Sequence, residues 1–383
     1  MADRALRIAL IRRSYRPDGG AEQIMSRTLD GLRVYGDLDL SLICEKWQQR
    51  DGVHHFPISR KGLGRVARHR HFVQQVSAIL RSREFDLVQS NERLPGCSLY
   101  RAGDGVHAQW LARRAAIASP LQRLWLRISR FHRYMLETER AMFTHPALRR
   151  VICISQMVRD DIQRHYPVDA DKLRVIYNGI DLQRFSPAAN AQTRQGLRDE
   201  LGLSSAPLLL FVGSGFERKG LAQLLHALSA QGSDWHLAVI GRDKHQARYR
   251  RLAERLGLQQ RVRFAGVVPD VTPYYRCADL LVHPCLYEPF GNVVLEALAC
   301  GLGVVTNQYC GAGELIESGI NGQRYDADTD EALVQALELA RSGYDSYRDA
   351  ARASAEQHPI ERMVEAMLAL YRELLEVKAG TPV

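Results

Sequence analysis

Two glutamates stand eight positions apart in the C-terminal half of the chain, and their surroundings suit an anionic ligand that is rich in hydroxyl groups. Glu288 follows an apolar run that predicts a strand, and Glu296 lies two turns into the apolar segment that predicts the next helix. A carboxylate on the inward face of a helix needs a partner, which sugar or ribose hydroxyls can provide. Where this helix begins, at Gly291, Asn292 and Val293, backbone N–H groups and the helix dipole favour an anion.

A simpler interpretation of the same pair is open. Glu288 could cap the helix that follows it, and Glu296 could pair with an arginine of the core. For two arbitrary glutamates this interpretation is the better one. The case for a ligand site therefore depends on other residues that the fold would bring to the same place.

A pair of cations follows the apolar run 208–212, which predicts a buried strand. The loop begins at Gly213 and places Arg218 and Lys219 at the start of another predicted helix. Two cations at a helix start, reached through a glycine-bearing loop, suit a diphosphate leaving group. A solvated basic turn would also explain them, but in a parallel sheet this loop and Glu288 would both follow strand ends and share one edge.

The N-terminal half offers two weaker candidates. Gly19 and Gly20 open the first predicted helix and could present backbone N–H groups to phosphate, although an ordinary turn is an equal alternative. The polar segment after residue 101 contains Asp104 and His107, which are the best titratable candidates of this half. A lone histidine is more often structural than functional.

Together these segments resemble the retaining GT-B glycosyltransferases of family 4. The segment from Glu288 to Glu296 is similar to the E-x7-E motif of that family, with an E-P-F-G-N start and a following A-L-A-x-G. The resemblance implies that Glu288 lies by the transferred sugar, that Glu296 binds the donor ribose and that the intervening backbone amides hold the diphosphate. It also implies that Arg218 and Lys219, in a G-x-x-x-x-R-K-G context, neutralise the diphosphate of UDP or GDP.

The same resemblance extends to the weaker candidates. Gly19 and Gly20 match the Gly-Gly loop of the family, which meets the donor phosphates and the acceptor. Members of the family have a His near the donor sugar, or an Asp in those that build the lipopolysaccharide core. This chain has both His107 and Asp104, and the choice between them is open. Val267 lies in a turn that resembles the nucleobase-binding turn, where backbone groups would contact the base.

We expect no metal and no other cofactor, because Arg218 and Lys219 can take the place of a metal at the diphosphate; the UDP-sugar would be a co-substrate. Seven cysteines are scattered along the chain without a C-x-x-C pair. They are predicted to be reduced core cysteines of a cytoplasmic protein.

Length and composition allow two globular domains: the chain has 383 residues, of which 46% are hydrophobic and 25% charged. No stretch predicts a transmembrane helix, and the N-terminus lacks the apolar core of a signal peptide. The net charge of +9 is unevenly distributed, since residues 1–180 contain 31 basic and 18 acidic side chains and the remainder 21 and 25. The basic half would attract nucleic acid, anionic lipid or a phosphorylated acceptor.

Short apolar runs alternate with helical patterns in both halves, which predicts an α/β protein with doubly wound parallel sheets. Residues 178–187 separate the halves with an Asn-Gly turn and a proline, and resemble the interdomain crossing of the family. The expected GT-B architecture is two Rossmann-like domains facing a cleft. We assign acceptor binding to 1–180 and nucleotide-sugar binding to 181–365, with 366–383 as a helix that crosses back to the N-terminal domain.

Residues 109–145 predict basic amphipathic helices with a break at Pro120. The apolar positions are Leu121, Leu124, Trp125, Ile128, Phe131 and Met135, and the arginines on another side are Arg123, Arg127, Arg130 and Arg133. Such a helix could lie on an anionic membrane or could pack on a core with a solvated arginine face. The pattern resembles the same region of lipopolysaccharide-core glucosyltransferases, which favours the membrane and a phosphate-rich lipid acceptor.

The sequence thus predicts retaining transfer of a hexose, of glucose or N-acetylhexosamine type, from a UDP-sugar to an inner-core sugar of lipopolysaccharide. The enzyme would be cytoplasmic and peripheral at the inner membrane face. One alternative is another lipid-linked or exopolysaccharide acceptor. Others are a nucleotide-sugar epimerase, whose acid/base residues we cannot identify here, and a glycogen-phosphorylase-like enzyme, whose lysine for pyridoxal phosphate we cannot identify either. Nucleic acid is not expected as a partner, because no nucleic-acid-binding motif accompanies the basic residues.

Overall fold

The computed structural model describes residues 5–13, 20–34, 38–47, 51–203, 206–232, 234–326 and 329–379. The chain forms two compact units. The first combines the residues up to Gly179 with those from Ile360 onwards, and the second comprises Ile180–Pro359. Each unit is built on a parallel sheet with helices, so the predicted α/β class with two Rossmann-like domains is confirmed.

The first unit contains a seven-stranded sheet. Its strands are β1 (Leu6–Ile11), β2 (Leu38–Cys44), β3 (Val53–Pro57), β4 (Leu87–Ser90), β5 (Leu99–Arg101), β6 (Arg150–Cys153) and β7 (Leu173–Val175). Their order is β3-β2-β1-β4-β5-β6-β7, and every pair is parallel. The helices are α1 (Gly20–Arg33), α2 (Gly64–Ser82), α3 (His107–Ala116), α4 (Pro120–Ile128), α5 (Arg130–Phe143) and α6 (Gln156–His165), with a 3-10 turn at Ala170–Lys172.

Strand β1 shows why its sequence is apolar throughout. Ile8 and Leu10 face one core together with α1, whereas Ala9 and Ile11 face a second core together with α2. Side chains alternate between the two faces of a strand, and here helices cover both faces. All four residues are therefore fully buried.

The second unit contains a six-stranded parallel sheet. Its strands are β8 (Leu208–Val212), β9 (His236–Ile240), β10 (Val262–Gly266), β11 (Leu280–His283), β12 (Gly303–Asn307) and β13 (Gly322–Tyr325), in the order β10-β9-β8-β11-β12-β13. The helices are α7 (Ala191–Glu200), α8 (Leu221–Ala230), α9 (Gln246–Arg255), α10 (Thr272–Cys277), α11 (Asn292–Ala299), α12 (Asp330–Arg341) and α13 (Tyr347–Glu356), with a 3-10 turn at Gly311–Leu315.

The last helix, α14 (Ile360–Ala379), belongs to the first unit over its whole length. Its first turns bury Met363 and Val364 in the core that includes α1, and Tyr371 Oη donates a hydrogen bond to Gln89 Oε1 at 2.7 Å. The boundary that we drew after residue 365 differs from this division. The units change at Pro359, because the apolar face of the helix already packs in the first unit from its N-terminal turn.

Both sheets have a point where the strand order reverses, between β1 and β4 and between β8 and β11. In open α/β sheets, ligands bind outside the carboxyl ends of the strands at this switch point. In the second unit those ends lead into residues 213–220 and 284–291. In the first unit they lead into residues 12–13 and 91–92.

Candidate active site

The loop after β8 turns through glycines that give its two cations their positions. Gly213 has a φ of 147°, and a Cβ there would lie 3.3 Å from Lys219 Cε, so the absent side chain leaves room for the lysine. Gly220 has a φ of 78°, and its Cβ would lie 1.9 Å from the carbonyl oxygen of Pro284. The packing leaves only 8% of the Lys219 side chain exposed, against 42% for Arg218.

Glu288 joins the two cations in one cluster. Its Oε2 accepts hydrogen bonds from Arg218 Nη1 and from Lys219 Nζ. The Glu288 N–H donates to the carbonyl of Tyr309 at 2.8 Å, and its own carbonyl accepts from the N–H of Gly311 at 2.9 Å. The three charged residues that the sequence singled out as the diphosphate and sugar site therefore lie in direct contact.

The electrostatics of this cluster keep Glu288 ionised. Burial disfavours its charged form, but the neighbouring charges of Arg218 and Lys219 outweigh that effect and hold the pKa of Glu288 well below its usual range. Glu288 is thus a hydrogen-bond acceptor at neutral pH and not a proton donor. Two cations and one carboxylate leave a net positive charge, which attracts an anionic ligand.

Helix α11 begins beside the Glu288 side chain. The N-cap residue is Gly291, with φ 94° and ψ 69°, and as a glycine it has no side chain that could cap the helix. A Cβ at Gly291 would lie 2.8 Å from Cys310 Sγ and 3.3 Å from Glu288 Cγ, so this position requires glycine. Capping by Glu288 is therefore not observed, and the start of the helix at Asn292 and Val293 lies where the anion-binding hypothesis needs it.

Glu296 has a tyrosine as its hydrogen-bond partner. Tyr275 Oη donates to Glu296 Oε2 at 2.8 Å. Tyr275 is fully buried in α10, and burial followed by the charge of Glu296 raises its pKa well above the usual value, so the phenol keeps its proton. Tyr275 thereby fixes the orientation of the Glu296 carboxylate, and sequence patterns alone did not reveal it.

In the first unit, Asp104 pairs with an arginine at the switch point. Arg12 Nη1 lies 3.2 Å from Asp104 Oδ2, and Arg12 Nη2 lies 3.4 Å from Asp104 Oδ1. Arg12 Nη1 is also 3.6 Å from Glu92 Oε1, so the arginine joins the ends of three strands. Partial desolvation opposes ionisation of Asp104, whose side chain is 39% exposed, but the charge of Arg12 outweighs that effect and lowers the pKa of Asp104.

His107 belongs to a different network. Its Nε2 lies 3.1 Å from His132 Nδ1, and its ring stacks on Trp110 with centroids 5.7 Å apart. Burial, followed by the positive charge of Arg93, lowers the pKa of His107 to about 4. At neutral pH the ring is uncharged and is a weak base.

A buried carboxylate, Glu139, organises this segment and was missed from sequence. It accepts hydrogen bonds from Arg93 Nε at 2.7 Å, from Tyr166 Oη at 2.6 Å and from the backbone N–H of His107 at 2.9 Å. Since Val106, the N-cap residue of α3, has no side chain that can cap, Glu139 satisfies the first N–H groups of that helix. Only its position on the buried side of α5, among apolar residues, hinted at this role.

The remaining candidates are less constrained. Gly19 lies outside the described residues, and Gly20 is the first residue of α1. Val267 directly follows β10 and is 59% exposed. The proposed contacts of these three residues with the donor stay predictions.

Two family profiles match the chain. The profile described as glycosyl transferases group 1 matches residues 194–357, and the profile described as glycosyltransferase family 4 matches residues 19–184. The first match includes the Glu288 cluster and the second includes the Asp104 segment. The chain belongs to the family-4 glycosyltransferases. The resemblance that rested on the E-x7-E motif and on the Arg-Lys loop is thereby confirmed.

Curated relatives of this glycosyltransferase have differently named activities. It is 31% identical to the lipopolysaccharide glucosyltransferase WaaG of Escherichia coli over 242 residues. The aligned segment is 62% of this chain and 63% of that protein. It is 31% identical over 195 residues to the D-inositol 3-phosphate glycosyltransferase of Corynebacterium glutamicum, 48% of this chain and 46% of that protein. With the alpha-maltose-1-phosphate synthase of Mycobacterium tuberculosis it shares 32% identity over 206 residues, 50% and 52% of the two chains.

Each of these alignments spans less than two thirds of the relative's length. A solved structure is similar over almost the whole chain. WaaG, described as a glycosyltransferase involved in lipopolysaccharide biosynthesis, gives a TM-score of 0.81 at 25% identity and covers 95% of this chain and 99% of that one. This similarity confirms the GT-B fold for the glycosyltransferase.

The basic segment of the glycosyltransferase divides into α3, α4 and α5, with a break at Ser129 that the sequence pattern did not show. Met135 in α5 is buried, but α4 has no buried residue. Its apolar side chains, Leu121, Leu124, Trp125 and Ile128, are 73%, 54%, 70% and 50% exposed. The alternative prediction, that this apolar stripe packs on a core, is therefore wrong for α4. Among the described residues, no helix combines the length and apolarity needed to span a bilayer.

We expect the glycosyltransferase to lose stability as the pH falls from 7 to 5, and His107→Gln to lessen that loss. The pKa of His107 in the folded state, about 4, lies below its unfolded value of about 6.5, so the unfolded chain takes up the proton first. The stability associated with the neutral ring is present above about pH 6.5 and is lost as the pH falls toward 4. At pH 5 this amounts to at most about 2 kcal/mol.

Thermal denaturation of the wild type and His107→Gln at pH 7 and pH 5 measures the effect. His54→Gln, which removes an exposed histidine of the same unit, serves as the control. If His107→Gln and the wild type show the same drop in melting temperature, the neutral buried state of His107 is refuted.

Proposed function

We propose that this family-4 glycosyltransferase moves a hexose, of glucose or N-acetylhexosamine type, from a UDP-sugar to an inner-core sugar of lipopolysaccharide with retention of anomeric configuration. The observation that carries the proposal is the contact of Glu288 with Arg218 and Lys219 at the switch point of the second sheet. The name of the E. coli relative, lipopolysaccharide glucosyltransferase, supports the choice of acceptor.

The cation pair accounts for departure of the leaving group. Negative charge builds up on the diphosphate as the bond to the sugar breaks. Arg218 and Lys219 are already oriented by Glu288, so little reorganisation accompanies the reaction, which is the condition under which electrostatic stabilisation is most effective. We propose that these cations take the place of a metal and that transfer uses no other cofactor.

The rest of the donor has matching surfaces in the second unit. Glu296, oriented by Tyr275, accepts hydrogen bonds from the ribose hydroxyls. The backbone around the start of α11 holds the diphosphate. Further donor contacts in this unit are assigned to Gly213, Val267, Gly291, Asn292 and Val293, and the first unit is assigned two more, at Gly19 and Gly20.

Retention follows from a front-face displacement in which the departing diphosphate accepts the proton of the attacking hydroxyl. Glu288, being ionised, orients the donor sugar by accepting hydrogen bonds from its hydroxyls. Of the two candidates in the first unit, the ionised Asp104 suits contact with a sugar hydroxyl better, since 39% of its side chain is exposed. His107 is neutral and held within an aromatic cluster.

We assign acceptor binding to the basic first unit and place the enzyme at the cytoplasmic face of the inner membrane. The surplus of basic residues suits a phosphorylated glycolipid and an anionic bilayer surface. A different lipid-linked or exopolysaccharide acceptor is the alternative, because other relatives are named for inositol phosphate and for maltose 1-phosphate. Nucleic acid has no place in this account.

The exposed apolar side of α4 supports membrane attachment. Its aliphatic side chains and Trp125 lie on a helix that also carries Arg123 and Arg127, the combination found in helices that lie in a bilayer interface. We expect the double substitution Leu124→Gln/Trp125→Gln to weaken binding to anionic vesicles by about 10- to 100-fold, the effect of withdrawing two large apolar groups from the interface.

Vesicle flotation with phosphatidylglycerol-containing and purely zwitterionic liposomes measures this binding. The matched control is Leu339→Gln, which removes a leucine that is 55% exposed in the second unit. Equal binding of wild type and double variant, or equal binding to anionic and zwitterionic vesicles, would contradict the role of α4.

A panel of radiolabelled nucleotide sugars, incubated with the full-length enzyme and lipopolysaccharide truncated in its core, tests the function as a whole. We expect one UDP-hexose to give UDP and a product whose new linkage keeps the donor's anomeric configuration by NMR. Inversion at the new linkage would contradict retention. Isomerised nucleotide sugar without UDP release would instead identify an epimerase.

A further inference from the structure

A cluster of soft donor atoms lies next to the loop that carries Glu288. His283, Cys285 and Cys310 each offer one side-chain donor atom, and these atoms all lie within 4.8 Å of one another. All three side chains are buried, with at most 2% relative exposure. None of them has a role in the sugar transfer proposed above.

The sheet itself brings the three donors together. His283 is the last residue of β11 and pairs in register with Thr306 of β12, whose Oγ1 donates to the His283 carbonyl at 2.9 Å. Asn307 Nδ2 donates to the Cys285 carbonyl at 2.8 Å. Cys310 follows in the loop after β12. The backbone that carries the donors is thus fixed by hydrogen bonds that do not depend on a ligand.

His283 has an unmet bonding capacity. Its ring is fully buried, and neither Nδ1 nor Nε2 has a hydrogen-bond partner within the part of the chain that the structure describes. A neutral imidazole offers one N–H donor and one acceptor nitrogen, and buried polar groups in native proteins are nearly always paired. An unpaired ring nitrogen beside two thiols points to a ligand between them.

The two thiols contact oxygen acceptors and each other: Cys285 Sγ lies 3.8 Å from Asn307 Oδ1, and a side-chain hydrogen bond links Cys285 to Cys310. Cys285 Sγ lies 3.6 Å from the Tyr309 carbonyl oxygen, and Cys310 Sγ lies 3.2 Å from that of Phe290. Thiols are weak hydrogen-bond donors, so these contacts are readily exchanged for a metal–sulfur bond.

Two thiolates and a neutral imidazole form a donor set for Zn²⁺ and other thiophilic d10 cations. With metal–sulfur distances of about 2.3 Å and metal–nitrogen distances of about 2.0 Å, such donors lie about 3.5 to 4 Å apart around one ion. The donor atoms, which all lie within 4.8 Å of one another, are already close to that spacing.

The neighbouring ammonium group of Lys219 does not prevent cation binding. Coordination of Zn²⁺ releases the protons of Cys285 and Cys310, so a divalent cation replaces two protons and the net charge of the cluster is unchanged. The repulsion that Lys219 would exert on an added cation is therefore offset by the two thiolates.

We propose that His283, Cys285 and Cys310 bind one thiophilic d10 cation, represented by Zn²⁺, which ties the end of β11 and the loop after it to the loop after β12. Cys310 Sγ lies only 2.8 Å from where a Cβ at Gly291 would be, so an ion bound by Cys310 would restrain the residue directly before α11. These three residues leave the fourth position of a tetrahedral ion to water or another small ligand, and no step of the proposed transfer passes through the ion.

The test uses the reduced protein after treatment with a chelator. Cd²⁺ is titrated first, and binding is measured by the ultraviolet thiolate-to-metal charge-transfer band. Zn²⁺ is then titrated in competition with a chromophoric chelator. We expect one equivalent per chain, release of protons on binding, and a higher melting temperature with Zn²⁺. His283→Gln and Cys310→Ser should each weaken binding at least about 100-fold. Cys277→Ser, which alters a buried cysteine elsewhere in the same unit, should bind like the wild type.

Several results would overturn the proposal. One is the absence of a Cd²⁺ band in the wild type, and another is a stoichiometry and affinity that Cys310→Ser leaves unchanged. A third is a disulfide between Cys285 and Cys310, seen by intact mass, in a protein that still binds no metal after the disulfide is reduced. Since the readouts are binding and melting temperature, they stand apart from the assays of sugar transfer.

Discussion

Arg218→Ala and Lys219→Ala each lower kcat by about 10²- to 10³-fold, the loss seen when a preorganised group that stabilises developing charge is removed. Glu288 holds both cations in place before the donor binds. In each variant, water fills the space of the lost side chain. Water has no net charge and must reorient as the diphosphate leaves, so it stabilises the developing negative charge less well than the fixed cation does. The measurement is steady-state hexose transfer from the UDP-sugar that the donor panel identifies.

The two variants differ in their expected stability. Arg218 is 42% exposed, so its removal leaves the melting temperature close to that of the wild type. Each substitution leaves Glu288 with one counter-ion, but Lys219 is only 8% exposed, so its loss also vacates a buried space that solvent does not readily fill, and we expect a lower melting temperature. Arg255→Ala removes an exposed cation from α9 of the same unit and is the matched control. Wild-type turnover in Arg218→Ala would refute the phosphate role.

Glu288→Gln separates catalysis from nucleotide binding. The amide keeps the shape and one acceptor oxygen, but it removes the negative charge that competes with a diphosphate for Arg218 and Lys219. We therefore expect kcat to fall by about 10²-fold, because the donor sugar loses its orienting carboxylate, while the product UDP binds at least as tightly as to the wild type.

Product inhibition by UDP and kcat, measured side by side, check this split. Glu254→Gln, an exposed glutamate on α9, provides a charge-matched control. If turnover and UDP affinity fall together in Glu288→Gln, then Glu288 only positions the cations. If neither changes, the E-x7-E segment has been assigned the wrong chemistry.

The core of the candidate site could be predicted because it follows local rules. Apolar runs marked β8 and β11, and the charged residues that follow each run had to reach the carboxyl edge of a parallel sheet. The family resemblance supplied the remaining information, since the adjacency of β8 and β11 brings Arg218 and Lys219 to Glu288, and no local pattern specifies which strands are neighbours.

The supporting contacts could not be predicted for the same reason. Arg12 reaches Asp104 from a loop 92 positions away in sequence, and Glu139 caps α3 from α5 across the fold. Such pairs depend on tertiary packing. The break at Ser129 did have a local signal, because its hydroxyl accepts from the His132 N–H as an N-cap does, but the continuous apolar stripe concealed it.

The central claim is that Arg218 and Lys219 receive the diphosphate of the donor, and isothermal titration with UDP and with uridine tests it most directly. We predict that the wild type binds UDP at least about 10²-fold more tightly than uridine, the effect of two charge-assisted contacts. In the double variant Arg218→Ala/Lys219→Ala this preference should fall at least about 10-fold, because only the backbone N–H groups at the start of α11 still contact the diphosphate, while uridine binding stays the same. Equal affinities for UDP and uridine in the wild type, or a preference of unchanged size in the double variant, would contradict the account.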